Sequence, residues 1–210
     1  TYLGKNRAMH VKQAKKRTYH HGNLAESLLN AVDQIASQFG LESVTLRGCA
    51  KLVGVSPSSA FRHYVDKRAL LTAFATRALL QLSQAMLTAR EQAEREGKNT
   101  FAAVGLAYVA FALEKPAFFR AMWREEAIYS KDEAYVSAAK ELAEHLHGGF
   151  ADTIHDHDHH AFSAQELLAW SAVHGLANLY VDGPVAKDES KETRLTRASE
   201  MIEALERAFK

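Results

Sequence analysis

Ser58, Ser59, Arg62 and His63 lie within six residues of one another and carry hydroxyl, guanidinium and imidazole groups. Such groups reach base edges and phosphate oxygens, so the chemistry they suit is recognition of nucleic acid. Just upstream, Leu46, Cys49, Ala50 and Val53 recur at i, i+3, i+4 and i+7. That spacing predicts a two-turn helix with one apolar stripe, leaving Arg47 and Lys51 pointing elsewhere. Gly54 follows, where left-handed backbone is cheap and a helix can stop. Ser56 suits an N-cap and Pro57 the first helical position, because its missing N–H has no partner there in any helix. In the second helix Ala60 and Tyr64 are expected to face the first, turning the polar and cationic side chains outward. The alternative is an ordinary helical hairpin whose cations are merely solvated.

The helix expected from Asn23 to Phe39, Gly40, Val44-Thr45, Ala50, Gly54-Val55-Ser56, the Phe61-Arg62-His63-Tyr64 run and Lys67 together resemble the DNA-binding domain of the TetR family of bacterial regulators. The resemblance spans residues 20 to 71. It implies DNA contacts from Thr45, Arg47, Ser56, Pro57, Ser58, Ser59, Phe61, Arg62, His63 and Lys67, with double-stranded operator DNA as partner. The chain departs from the family at Phe61, where Tyr is usual and a phenolic phosphate contact would be lost. It departs also at Tyr64, in place of Phe, and at Cys49, in place of a branched aliphatic.

Those elements sit on a chain of uneven charge. Residues 1–68 hold 11 Lys and Arg against 4 Asp and Glu, a net +7, whereas residues 69–210 hold 15 against 21, a net −6. A basic end attracts polyphosphate, and an acidic remainder avoids adhering to it. The basic residues begin in an arm over 1–21, which either follows the DNA backbone or serves as a solubilising tail. A reader over 22–68 and a ligand-binding and dimerisation body over 69–210 complete the expected domains. Only three prolines interrupt the chain and no stretch alternates like a strand, so the fold is expected to be all-α. Cys49, the single cysteine, is expected to be a buried structural thiol. Without a run of about 18 apolar residues or a signal-peptide core, a cytoplasmic protein with no membrane partner is expected.

In the body, Asp66 is placed to cap a long connecting helix that Gly97 ends. The run Phe101 to Leu113 is apolar on every side, which demands a surrounded helix. Its alanines and Gly105 allow either close helix contacts or empty space. Pro116 starts a short helix rich in aromatic residues. Phe101, Tyr108, Phe111, Phe119, Met122, Trp123, Trp170 and His174 are therefore candidates for a pocket taking an apolar or amphipathic effector, the alternative being plain core. Two further seams, Leu168, Ala172, Gly175, Leu179 and Leu195, Ala198, Ile202, Leu205, Phe209, recur at helical spacing. Their resemblance to the family's dimer face implies a four-helix bundle between two chains.

The run His155-Asp156-His157-Asp158-His159-His160 offers ligands for zinc, nickel or cobalt. It lacks the His-x-His-x-Asp-His order of a metallohydrolase, and the chain has no His-Glu-x-x-His pair or Gly-x-Ser-x-Gly turn, so neither an enzyme nor a cofactor is expected. His155, His157, His159 and His160 stand as candidates for a metal-responsive or metal-buffering protein, with a polar loop as the alternative and no metal site assigned. The residues thus favour a dimeric, ligand-responsive transcriptional regulator, a repressor released from a palindromic operator.

Overall fold

The computed structural model describes residues 23–150 and 162–209, and the described residues form nine α-helices with two short 3-10 turns and no strand. Asn23 accepts the amide of Glu26 and opens α1 (Leu24–Phe39). Thr45 Oγ1 accepts the Gly48 N–H at 2.9 Å and opens α2 (Leu46–Val53), which buries the expected Leu46, Cys49, Ala50 and Val53. Gly54, at φ 81° and ψ 29°, ends α2 in left-handed backbone that a side chain would strain. Ser56 caps α3 (Pro57–Phe61), which is shorter than the spacing predicts. Arg62 terminates it, and the amides of both His63 and Tyr64 turn back onto the Ala60 carbonyl. Tyr64 therefore packs from the turn after the helix, and only Ala60 is buried from α3 itself.

Asp66 caps α4 (Lys67–Glu96), the 30-residue connecting helix, and Gly97 ends it in left-handed backbone. Next come α5 (Thr100–Glu114), α6 (Pro116–Met122), α7 (Glu133–Phe150), α8 (Ala164–Val181) and α9 (Lys191–Phe209). The apolar α5 is surrounded as expected, with α4, α6, α7, α8 and α9 all against it. Of the two outcomes its small residues allowed, close approach prevails. A Cβ on Gly105 would stand 3.1 Å from Ile202 of α9, and one on Gly149 of α7 would stand 3.0 Å from Val104. Phe74 and Phe118 stack at 4.4 Å and join α4 to α6. Among the described residues no single helix is long and apolar enough to cross a membrane.

The two seams part company. Along α8, Leu168 is 55 % and Leu179 44 % exposed, and a Cβ on Gly175 would meet open space. The α9 seam turns inward instead. Ala198 and Ile202 are wholly buried, Leu195, Leu205 and Phe209 pack on the same core, and Phe209 meets Phe101 edge-on at 6.1 Å. Ala198 and Ile202 are thus intrachain core rather than dimer face, because the apolar α5 needs a cover that this stripe supplies, while Leu195, Leu205 and Phe209 are half-buried at its edge.

Candidate DNA-reading face and effector pocket

The candidate DNA residues share one surface. Thr45, Arg47, Ser56, Pro57, Ser58, Phe61, Arg62 and His63 are exposed, with Ser59 and Lys67 half-buried among them. Behind that surface, Ala50 and Ala60 bring α2 and α3 into contact. Several of the polar groups hold one another. Ser56 Oγ accepts the Ser59 amide and lies 2.9 Å from the hydroxyls of Ser58 and Ser59, and Arg62 donates to Ser59 Oγ at 3.2 Å. Lys67 donates to the Glu42 carbonyl at 2.8 Å, so part of its ammonium is engaged in closing the turn before α2. Arg47 has open solvent around it. Phe61 exposes 45 % of its surface at the end of α3, where the ring offers apolar contact in place of a phenol. Cys49 is buried without exposure, and burial pushes its thiol up to about 11, as suits a structural residue.

The segment after α6 ties this surface to the body. Arg124 forms an ion pair with Glu42, and this partner holds the Glu42 carboxyl below the usual range. Tyr129 donates from its hydroxyl to Asp66 Oδ2 at 2.6 Å, while Asp66 Oδ1 caps α4 through the Ala69 amide. The tyrosine bond first, and the amide second, hold that carboxyl low. Arg68 donates to the Ile128 carbonyl at 2.6 Å with its guanidinium 4.7 Å from the Tyr129 ring centre, and the Tyr129 amide donates to Thr72 Oγ1. Nothing in the local sequence marks Glu42, Arg124 or Tyr129, since the partners lie 57 to 82 residues apart.

An apolar cavity lies between α5, α7 and α8, walled by Phe101, Val104, Tyr108, Phe150, Trp170 and Val173 among others. At about 20 Å³ it has room for one water-sized sphere, far below the 300 Å³ or more typical of ligand pockets. Of the eight pocket candidates, Phe101, Tyr108 and Trp170 line it. Phe119, Trp123 and His174 stand one layer away: Phe119 meets Tyr108 edge-on at 6.0 Å, and Trp123 meets His174 at 4.9 Å. Met122 is buried core, and Phe111 sits apart beneath Lys115. Tyr108 is bonded to His174 at 2.7 Å, and burial holds the imidazole below its usual pKa and so neutral. The first turn of α8 adds a buried Glu166, bonded to His147 at 3.0 Å, with the His147 ring stacked on Phe162 at 4.1 Å.

Metal has less to recommend it. His155, His157, His159 and His160 fall outside the described residues, and among the described residues no three His, Cys, Asp or Glu side chains gather where an ion could sit.

The arrangement has relatives. Residues 101–204 match the family model described as "Tetracyclin repressor-like, C-terminal domain". An uncharacterised HTH-type transcriptional regulator of Bacillus subtilis, YobS, is 31 % identical over 100 residues, 48 % of this chain. The chain spans about half the length, 51 %, of that relative. A structure of a protein of unknown function from Rhodococcus sp. RHA1 superposes with a TM-score of 0.69 and 28 % identity, over 89 % of this chain and 97 % of that one. The TetR-family regulator PfmR of Thermus thermophilus has the same fold, with a TM-score of 0.61 at 16 % identity over 86 % of this chain and 97 % of its own. The family match takes in α5 to the greater part of α9, the elements that enclose the cavity, while the head has the helix–turn–helix form that the family places before them. The chain belongs to the TetR family.

Proposed function

We propose that the protein is a ligand-responsive DNA-binding transcriptional regulator, working as a homodimer and repressing from a palindromic operator. The observation that carries this reading is the exposed polar and cationic surface of α2 and α3, set on a +7 basic end and strapped to a helical body. In this reading residues 1–21 are the basic arm, 22–68 the reader and 69–210 the effector and dimerisation body. Arg47 meets phosphate, and the start of α3 enters the major groove with Ser58, Ser59 and Arg62 toward the bases.

Effector binding reaches the head through α6. Trp123 packs 6.0 Å from Trp170 of the cavity wall, and the next residue, Arg124, holds Glu42 of the head, so a ligand that shifts Trp170 and with it Trp123 pulls on the ion pair and on Tyr129. Such a ligand must prefer the body conformation that spaces two readers wrongly, because equal affinity for both conformations shifts nothing. The small size of the cavity fits this requirement, since a molecule larger than one water is accommodated only by moving its walls.

The test is selection of bound sites from random duplex DNA by the full chain. The expected product is an inverted repeat whose half-sites lie about one helical turn, or a multiple of it, apart. Recovery of no enriched sequence would remove the reading.

A further inference from the structure

The corner where α5, α6 and α8 meet carries more hydrogen-bond donors than acceptors. Asn178 Nδ2 donates to the His174 carbonyl at 3.1 Å, which fixes the amide with its nitrogen inward, because an oxygen there would face another oxygen. The same nitrogen lies 2.7 Å from His174 Nε2, so Nε2 is the acceptor. In a neutral imidazole the proton is then on Nδ1, and the 2.7 Å contact to Tyr108 runs from Nδ1–H to the phenol oxygen. The Tyr108 hydroxyl is left with its own proton to give. Two more donors stand beside it. The indole N–H groups of Trp123 and Trp170 are buried and make no hydrogen bond of normal geometry among the described residues, and the Trp123 ring stands 6.0 Å from that of Trp170 and 4.9 Å from that of His174. Tyr108 and Trp170 also line the apolar cavity.

We propose that the body binds an uncharged, mainly apolar molecule bearing a carbonyl-type oxygen, received by the Tyr108 hydroxyl and the Trp123 and Trp170 indole N–H groups. This inference rests on the effector role proposed for the cavity and names the chemistry of its occupant. Three donors converging without a matching acceptor select for an oxygen acceptor and against a hydrocarbon of the same shape, which would leave them unpaired. The wall beyond them is Phe101, Val104, Gly105 and Phe150, so the atoms next to that oxygen are carbon. A carboxylate suits the site less well. The buried Glu166 lies one turn before Trp170 on α8 and would repel it, and the imidazole at the corner is neutral. A cation would meet donors. The carbon part takes its room by pushing the last turns of α7, Leu146 to Phe150, away from α5.

Calorimetric titration of the full chain, without DNA, with acetophenone, ethylbenzene and benzoate tests this. Acetophenone should bind at least roughly tenfold more tightly than ethylbenzene, which has nearly its shape without the oxygen, and more tightly than benzoate. Tyr108→Phe and Trp123→Phe should each lower acetophenone affinity at least about fivefold while moving ethylbenzene by no more than about twofold, and if Tyr108→Phe fails to fold, Trp123→Phe decides. Equal affinity for ketone and hydrocarbon, tighter binding of benzoate, or no binding by any of the three would overturn the proposal. Since no DNA is present, such a result leaves DNA recognition standing, and a failed site selection leaves this result standing.

Discussion

Arg47 and Lys67 look alike in sequence, as cations flanking a helix–turn–helix, yet the fold gives them different work. Arg47 extends into solvent from α2, whereas Lys67 holds the Glu42 carbonyl and so closes the turn that leads into α2. Their alanine variants should separate these roles. Arg47→Ala should weaken operator binding and flatten the slope of log K against log salt by about 0.9, the loss of one phosphate contact, with an unchanged melting temperature. Lys67→Ala should weaken binding and also lower the melting temperature. Anisotropy titrations across salt, paired with thermal melts, check both. An unchanged slope for Arg47→Ala would remove its phosphate role. Single residues were legible in the sequence where their partners are local: Ser56, Asp66 and Gly97 act on amides and carbonyls within four residues. Tyr129 and Arg124 were not, because no spacing rule reaches their partners on the head.

At the scale of elements, a seam in a sequence says that a stripe is buried and leaves open what buries it. The α8 and α9 seams have the same appearance, but only α8 keeps an open apolar stripe once α5 is covered. Close packing resolved the alanine-rich α5 in the same manner, leaving a cavity of about 20 Å³ against it among the described residues. Helix α3 ends earlier than the spacing predicts because Tyr64 packs inward at helical spacing while the chain has already turned. Two variants distinguish the seams. Ile202→Ala in α9 should cost about 2–5 kcal/mol in urea unfolding, as a buried branched side chain leaves a cavity, and should leave the oligomeric state unchanged. Leu168→Glu combined with Leu179→Glu in α8 should keep the helical content and yield monomers by sedimentation velocity. An unaltered chain that already sediments as a monomer at micromolar concentration would contradict the proposed dimer.

The whole molecule separates charge as well as structure, with a basic head on an acidic body and a strap of ion pair and hydrogen bonds between them. One reader with a five-residue α3 covers few base pairs, so sequence discrimination at operator level needs two readers held at fixed spacing by the body. The alternative for a chain with this charge is a polycation that holds any duplex through phosphates alone. The two accounts differ in one ratio: the affinity of the full chain for its selected duplex over the affinity for a scrambled duplex of equal length, measured by anisotropy between about 50 and 200 mM salt. A sequence-reading dimer predicts a ratio of roughly 10³ or more at the upper end of that range, with one dimer on each duplex. A ratio that stays within about tenfold at every salt concentration, as phosphate binding alone gives, would contradict the account.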